Sequence, residues 1–126
     1  MLGAIIGDMV GSLYEFHPIK TKEFDIYNNR MRMTDDSYLT IAVAKTLLKH
    51  YPIKYDEESL NKIKDDLISE FVRTWNSHRH AGFGGMFYHW CATGYRGEKP
   101  QPYNSYGNGS AMRISPVGWI ANSEEE

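Results

Sequence analysis

Leu60, Ile63, Leu67, Phe71 and Trp75 recur at steps of three and four between Asp56 and Trp75, with lysines and aspartates opposite them. Only a helix, at about 100° per residue, gathers those five on one face. Leu39, Ala42, Val43 and Leu47 repeat the pattern between Asp35 and His50, where Lys49 and His50 suit a last turn and Tyr51-Pro52 stops the helix. Met86 to Thr93 reads as a third, short and largely buried helix after the Gly82-Phe83-Gly84-Gly85 turn. Val, Ile and Thr are sparse, nothing alternates with period two over a useful length, and no repeat is visible. The chain is therefore predicted to be all-α.

At 126 residues it is one domain's worth of chain, long enough to bury a core. A net charge of -2 excludes the basic footprint of a nucleic-acid binder. One cysteine, Cys91, rules out an intrachain disulfide framework and fits a reducing compartment. The apolar N-terminus is interrupted at Asp8 with no Lys or Arg before it, so it makes a poor signal peptide and is too short for a membrane span. These features predict a cytoplasmic protein with no membrane partner.

Leu2 to Phe16 is expected to be a helix with three stripes. Leu2, Ile5, Ile6, Met9, Val10 and Leu13 are apolar, Gly3, Gly7 and Gly11 are small, and Asp8, Ser12 and Glu15 carry oxygen. Each interior glycine costs about 1 kcal/mol relative to alanine, so something is expected to approach the backbone closely. The oxygen stripe has two readings, a solvated face or the lining of a cavity. His17-Pro18 ends the segment. The polar stretch to Arg32, with Lys20, Lys22 and Arg30, reads as a loop that either is solvated or closes over an anionic ligand.

Thr34-Asp35-Asp36-Ser37 stands at the head of the second helix. Its bland reading is capping, since Thr34 can accept backbone N–H groups and negative charge suits a first turn. Its sharp reading is a hard-cation site, because Mg²⁺ and Mn²⁺ prefer carboxylate, hydroxyl and water oxygens. Asp65-Asp66 is a control for it: mid-helix and flanked by lysine, that pair is expected on the solvent face with no claim to a metal. His78-Arg79-His80 has no partner ligand at zinc spacing. Ser105-Tyr106-Gly107-Asn108-Gly109-Ser110-Ala111-Met112-Arg113 offers small residues before a helical segment, a weak phosphate-loop signal that an ordinary capped loop also explains.

Gly7-Asp8-Met9-Val10-Gly11-Ser12 with Glu15, then Thr34-Asp35-Asp36-Ser37, then Ser105 to Arg113, resemble in this order the N-terminal half of the ADP-ribosylglycohydrolase family, which includes the dinitrogenase-reductase-activating glycohydrolases. The resemblance covers essentially the whole chain. It implies a helical fold around a binuclear Mg²⁺ or Mn²⁺ centre that removes ADP-ribose from modified side chains. Thr34, Asp35 and Asp36 match the family's first metal ligands, and Asp35 and Asp36 with Glu15 are the candidate catalytic acids. Asp8 matches an acidic position beside the metal. Ser105, Tyr106, Gly107, Asn108 and Gly109 match a loop that holds diphosphate and ribose.

The family's second acidic motif, Asp-x-Asp-Thr/Ser, is absent: after Arg113 the only acids are Glu124 to Glu126. Residues 1–126 are therefore expected to be an apparently truncated, N-terminal portion of one such domain. Its expected partners are ADP-ribose or an ADP-ribosylated protein, with a complementing C-terminal segment or self-association covering apolar faces near Trp119 and Ile120. An ADP-ribose-binding relic and a helical interaction domain are the competing expectations.

Overall fold

The second helix of the sequence reading is the one that disappears into the protein. In a computed structural model that describes residues 1–123, the helices are α1 (Leu2–Gly11), α2 (Asp35–Lys49), α3 (Glu57–Ser77), α4 (Gly85–Tyr95), α5 (Gly109–Met112) and α6 (Val117–Ile120). There is no strand among the described residues. Helix α2 packs against α1, α3, α5 and α6, and α3 packs against α4. No described helix is long and apolar enough to cross a membrane.

The central place of α2 follows from its side chains. Leu39, Ala42, Val43 and Ala44 are buried, and the alanines are small enough to let neighbours close in. Thr40 and Thr46 are buried with them because each hydroxyl is satisfied inside the helix, donating to the Asp36 carbonyl (2.7 Å) and the Ala42 carbonyl (3.0 Å). Such hydroxyls follow a core helix without leaving a polar group unpaired. Ser37 Oγ is the exception, buried with no partner among the described residues.

Helix α3 begins where Asp56 accepts the Ser59 backbone N–H (2.8 Å) and hydroxyl (2.9 Å). Its apolar stripe then meets α4 through rings. Phe71 lies edge-on to Phe87 at 5.8 Å between centroids, and Trp75 edge-on to Tyr88 at 4.9 Å. Cys91 is buried there, and burial pushes its thiol up to about 12, so it packs as a small hydrophobe. Glu70, also buried, pairs with Arg73 on its own helix and with Lys45 of α2 at 3.8 Å.

Three expectations need correction. Helix α1 stops at Gly11 instead of running to Phe16, because Ser12 caps it: the Ser12 hydroxyl bonds back to the Met9 carbonyl (2.8 Å) and the chain turns beyond. None of the α1 residues is buried, with Leu2 76% and Ile6 56% exposed, and nothing among the described residues comes within 4 Å of a Cβ built on Gly3, Gly7 or Gly11. The glycine stripe therefore faces open space. Helix α4 buries only Cys91, its other rings being half-covered or exposed. The uncovered apolar surface expected near the end of the chain is present at Trp119 of α6, 77% exposed, while Ile120 is half-buried.

Candidate metal and ligand site

Asp8 and the head of α2 meet through a two-point grip. One Asp8 oxygen accepts the Thr34 backbone N–H (2.8 Å) and the other accepts the Thr34 hydroxyl (2.5 Å). Thr34 in turn caps α2, its Oγ1 accepting the Asp36 N–H at 3.4 Å. The capping reading of this tetrapeptide therefore holds as geometry. It does not exhaust the site, because the Thr34 hydroxyl has committed its proton to Asp8 and presents only lone pairs elsewhere.

Asp35 is held from the other side. Its backbone N–H donates to the Ala81 carbonyl (2.9 Å), and Gly82 follows at φ +99° with its Cα edge against Asp35 Oδ1. A built Cβ on Gly82 would stand 3.5 Å from that oxygen, and the positive φ itself selects glycine. The turn is further fixed where the His78 ring stacks on Tyr38 at 3.9 Å.

The four acids of the sequence reading share one electrostatic neighbourhood. Burial, then the Asp36 charge and more weakly Glu15, push Asp35 up to about 6. Burial and the Asp8 charge raise Asp36. Arg113 opposes both shifts. Glu15 reaches this group from the exposed turn beyond α1, not from a helical stripe, since only Asp8 of the expected oxygen stripe lies within the helix.

The donor set suits a hard divalent cation in kind. Carboxylates with more negative charge than their surroundings support, and a hydroxyl reduced to an acceptor, are what Mg²⁺ or Mn²⁺ would take. The set is short in number: no group of three His, Cys, Asp or Glu side chains arranged to hold a metal occurs among the described residues. Thr34, Asp35 and Asp36 could supply at most part of a coordination shell.

The loop residues stand apart from the acids. Ser105, Tyr106, Gly107 and Asn108 are exposed and Gly109 is half-buried. Ser105 Oγ accepts the Gly107 N–H at 3.0 Å, a local turn, and Asn108 precedes α5 without a side-chain cap. Arg113, the last residue of the sequence motif, holds the end of this loop. Its Nε donates to the Gly109 carbonyl at 2.7 Å. The available signal was its place four residues after a glycine, one helical turn away.

The control pair behaves differently. Asp66 accepts Lys49 Nζ (2.8 Å) and His50 Nε2 (2.7 Å), and Asp65 pairs with Lys99 (2.7 Å). These aspartates lie on the solvent side of α3, as expected, and pair it there with the end of α2 and with the segment after α4. The Lys49 and His50 bonds hold Asp66 below the usual carboxylate range.

The sequence profile of the ADP-ribosylglycohydrolase family matches residues 1–126. The chain is also similar to the ADP-ribosylhydrolase ARH3 of Xenopus tropicalis, 25% identical over an alignment 135 positions long that covers 90% of this chain and 36% of that protein. The chain thus spans about a third of the length of the curated relative it matches. No solved structure matches it.

Proposed function

The chain belongs to the ADP-ribosylglycohydrolase family, and from that premise we propose that it carries part of a metal-dependent site that hydrolyses the glycosidic bond between ADP-ribose and a protein side chain or small acceptor. The observation that carries this reading is the gathering of Asp8, Thr34, Asp35 and Asp36 at the head of α2, with a surplus of negative charge there. Thr34, Asp35 and Asp36 would hold Mg²⁺ or Mn²⁺. Such a cation, when bound, orients ribose hydroxyls and polarises a water.

The chain's own residues do the remaining work. Asp8 turns the Thr34 hydroxyl so that its lone pairs face away from the shared proton. Burial and the neighbouring Asp36 and Glu15 charges disfavour the Asp35 carboxylate, a cost that a bound cation would offset. Glu15 adds a carboxylate able to stabilise the oxocarbenium character of glycosidic cleavage. Ser105 to Gly109 would receive the diphosphate and ribose.

Completion of the metal shell would come from residues beyond this chain, supplied by a complementing segment. A second reading, an ADP-ribose-binding relic without turnover, is favoured by the shortage of metal-holding groups among the described residues. Turnover of ADP-ribosylated arginine and serine peptides with Mg²⁺ or Mn²⁺ separates the two. The chain alone is expected to fall well below about 1 s⁻¹, and addition of the family's C-terminal half should raise metal affinity and turnover together. ADP-ribose binding with no turnover in that mixture would favour the relic, and no binding at all would overturn both.

A further inference from the structure

The segment that leads into α2 is zipped to the end of α1 in two rungs. Asp8 accepts the Thr34 backbone N–H at 2.8 Å, and four residues further along, the Ser12 hydroxyl accepts the Arg32 N–H at 3.2 Å. Four residues of helix and two of extended chain each span about 6 to 7 Å, so the two rungs keep in step. At the second rung lies a cavity of about 500 Å³, lined on one side by Ser12 and the turn after it and on the other by Asn28, Arg30 and Arg32.

The charge changes sign from one rung to the next. The first rung belongs to the acids at the α2 head, whereas no Asp or Glu lines the cavity, which presents Arg30, Arg32 and His17. Neither arginine forms an ion pair among the described residues. In a chain whose acids outnumber its Lys and Arg by 16 to 14, two unpaired guanidinium groups on one cavity are a local excess of positive charge. Asn28 fixes the turn that carries them: its side chain accepts the Arg30 N–H at 2.9 Å and its carbonyl accepts the Met31 N–H at 3.1 Å. Tyr14 and Phe16 add ring surface beside the cations, and Phe24 braces Tyr14 edge-on at 5.4 Å between centroids. Guanidinium forks match carboxylates two bonds at a time. The cavity is larger than a single ion requires, and its rings suit an acidic side chain carried on a peptide better than a free anion.

We propose that this cavity is a carboxylate-recognition site, in which Arg30 and Arg32 bind an Asp or Glu side chain of a peptide lying against the turn after α1. A side chain seated there would stand about two extended residues, roughly 7 Å, from a group held at the acids. That the peptide belongs to an ADP-ribosylated protein rests on the function proposed above. Carboxylate recognition by the cavity does not.

The test titrates the chain with a blocked alanine peptide carrying glutamates, and with its glutamine counterpart, while amide resonances are followed by nuclear magnetic resonance. The glutamate peptide should shift residues 12–17 and 28–32 saturably, and the glutamine peptide should not. Both arginines are exposed, so Arg30→Gln/Arg32→Gln should keep the fold and weaken binding about 5- to 30-fold. Lys62→Gln/Lys64→Gln removes the same charge from exposed positions on α3 and should change binding by no more than about 2-fold. Equal losses in the two variants, or shifts spread over the whole surface, mean unspecific attraction and overturn the site. A glutamine peptide that binds as well as the glutamate peptide overturns it without any variant. ADP-ribose that shifts residues 28–32 and displaces the peptide makes the cavity a diphosphate site and overturns the carboxylate assignment. ADP-ribose that binds nowhere, with the peptide response intact, contradicts the hydrolase reading and leaves carboxylate recognition standing.

Discussion

The two Asp-Asp pairs of this chain are identical as dipeptides and opposite as chemistry. Asp35-Asp36 opens a buried helix, faces Asp8 and Glu15, and has its carboxylates pushed towards neutrality. Asp65-Asp66 lies in the middle of α3, meets Lys49, His50 and Lys99, and its Asp66 is stabilised as an anion. The difference comes from which charges and how much protein surround each pair. A carboxylate pair satisfied by lysines is a fastener, whereas one surrounded by further carboxylates has room for a cation.

The largest expected contrast is in metal affinity. Asp35→Asn/Asp36→Asn should reduce Mn²⁺ affinity by about 100-fold or more, because charged oxygen ligands are lost. Asp65→Asn/Asp66→Asn should leave it unchanged. Calorimetric titration of both variants reads the contrast directly, and equal losses would erase it.

The next contrast is in stability without metal. Asp35 has a folded pKa near 6, above its ordinary value, so its contribution is greatest in acid and declines as pH rises from about 4 through 6. Asp66, held low, works the other way: its contribution is present above the ordinary carboxylate pKa and is lost as pH falls below it. Asp35→Asn should accordingly stabilise the metal-free chain at pH 7 by about 1 to 2 kcal/mol, a figure reduced for partial exposure. Denaturant melts at pH 5 and pH 7 should show this gain shrinking towards the lower pH. A gain of equal size at both would mean that the raised carboxyl is not the cause.

Smaller effects sharpen the same picture. Thr34→Val removes the α2 cap and the hydroxyl half of the Asp8 grip together, leaving the backbone N–H bond, and should cost about 1 kcal/mol in a denaturant melt. Asp66→Asn should lower the melting temperature by a few degrees at most, and 0.5 M salt (roughly a 4 Å Debye length) should weaken that difference, since exposed pairs are screened. A large loss at Asp66 that ignores salt would place it closer to the buried acids than its surroundings imply.

Much of the fold was legible in the sequence, and its limits are physical. The α3 stripe from Leu60 to Trp75 is a local pattern that packing reinforces. The all-helical class follows from them and from α2. The length of α1 was not legible, because the same glycines that align as a stripe weaken the helix, and Ser12 can end it through its own hydroxyl. The burial of Thr40 and Thr46 was hidden for a related reason, since a threonine bonded to its own helix behaves as an apolar residue.

The candidate site was legible as a set of residues and not as an arrangement. Asp8, Glu15, Thr34, Asp35 and Asp36 stand out by type and order. The grip of Asp8 on Thr34 and the Ala81-Gly82 support of Asp35 depend on long-range contacts that no spacing encodes. Arg113 was overlooked because a lone arginine after a loop looks like a solvated charge until its rings and its carbonyl partner are seen.

Paramagnetic mapping with Mn²⁺ tests the difference between the two pairs most directly. Substoichiometric Mn²⁺ broadens amide resonances steeply with proximity, so it reports where the cation sits and not only that it binds. The expected result is early loss of the Asp8, Thr34, Asp35, Asp36, Ser37 and Gly82 signals while Asp65 and Asp66 persist, with that selectivity abolished in Asp35→Asn/Asp36→Asn. Equal broadening at both aspartate pairs, or broadening centred on Asp65 and Asp66, would contradict the assignment of the α2 head as the metal-binding site.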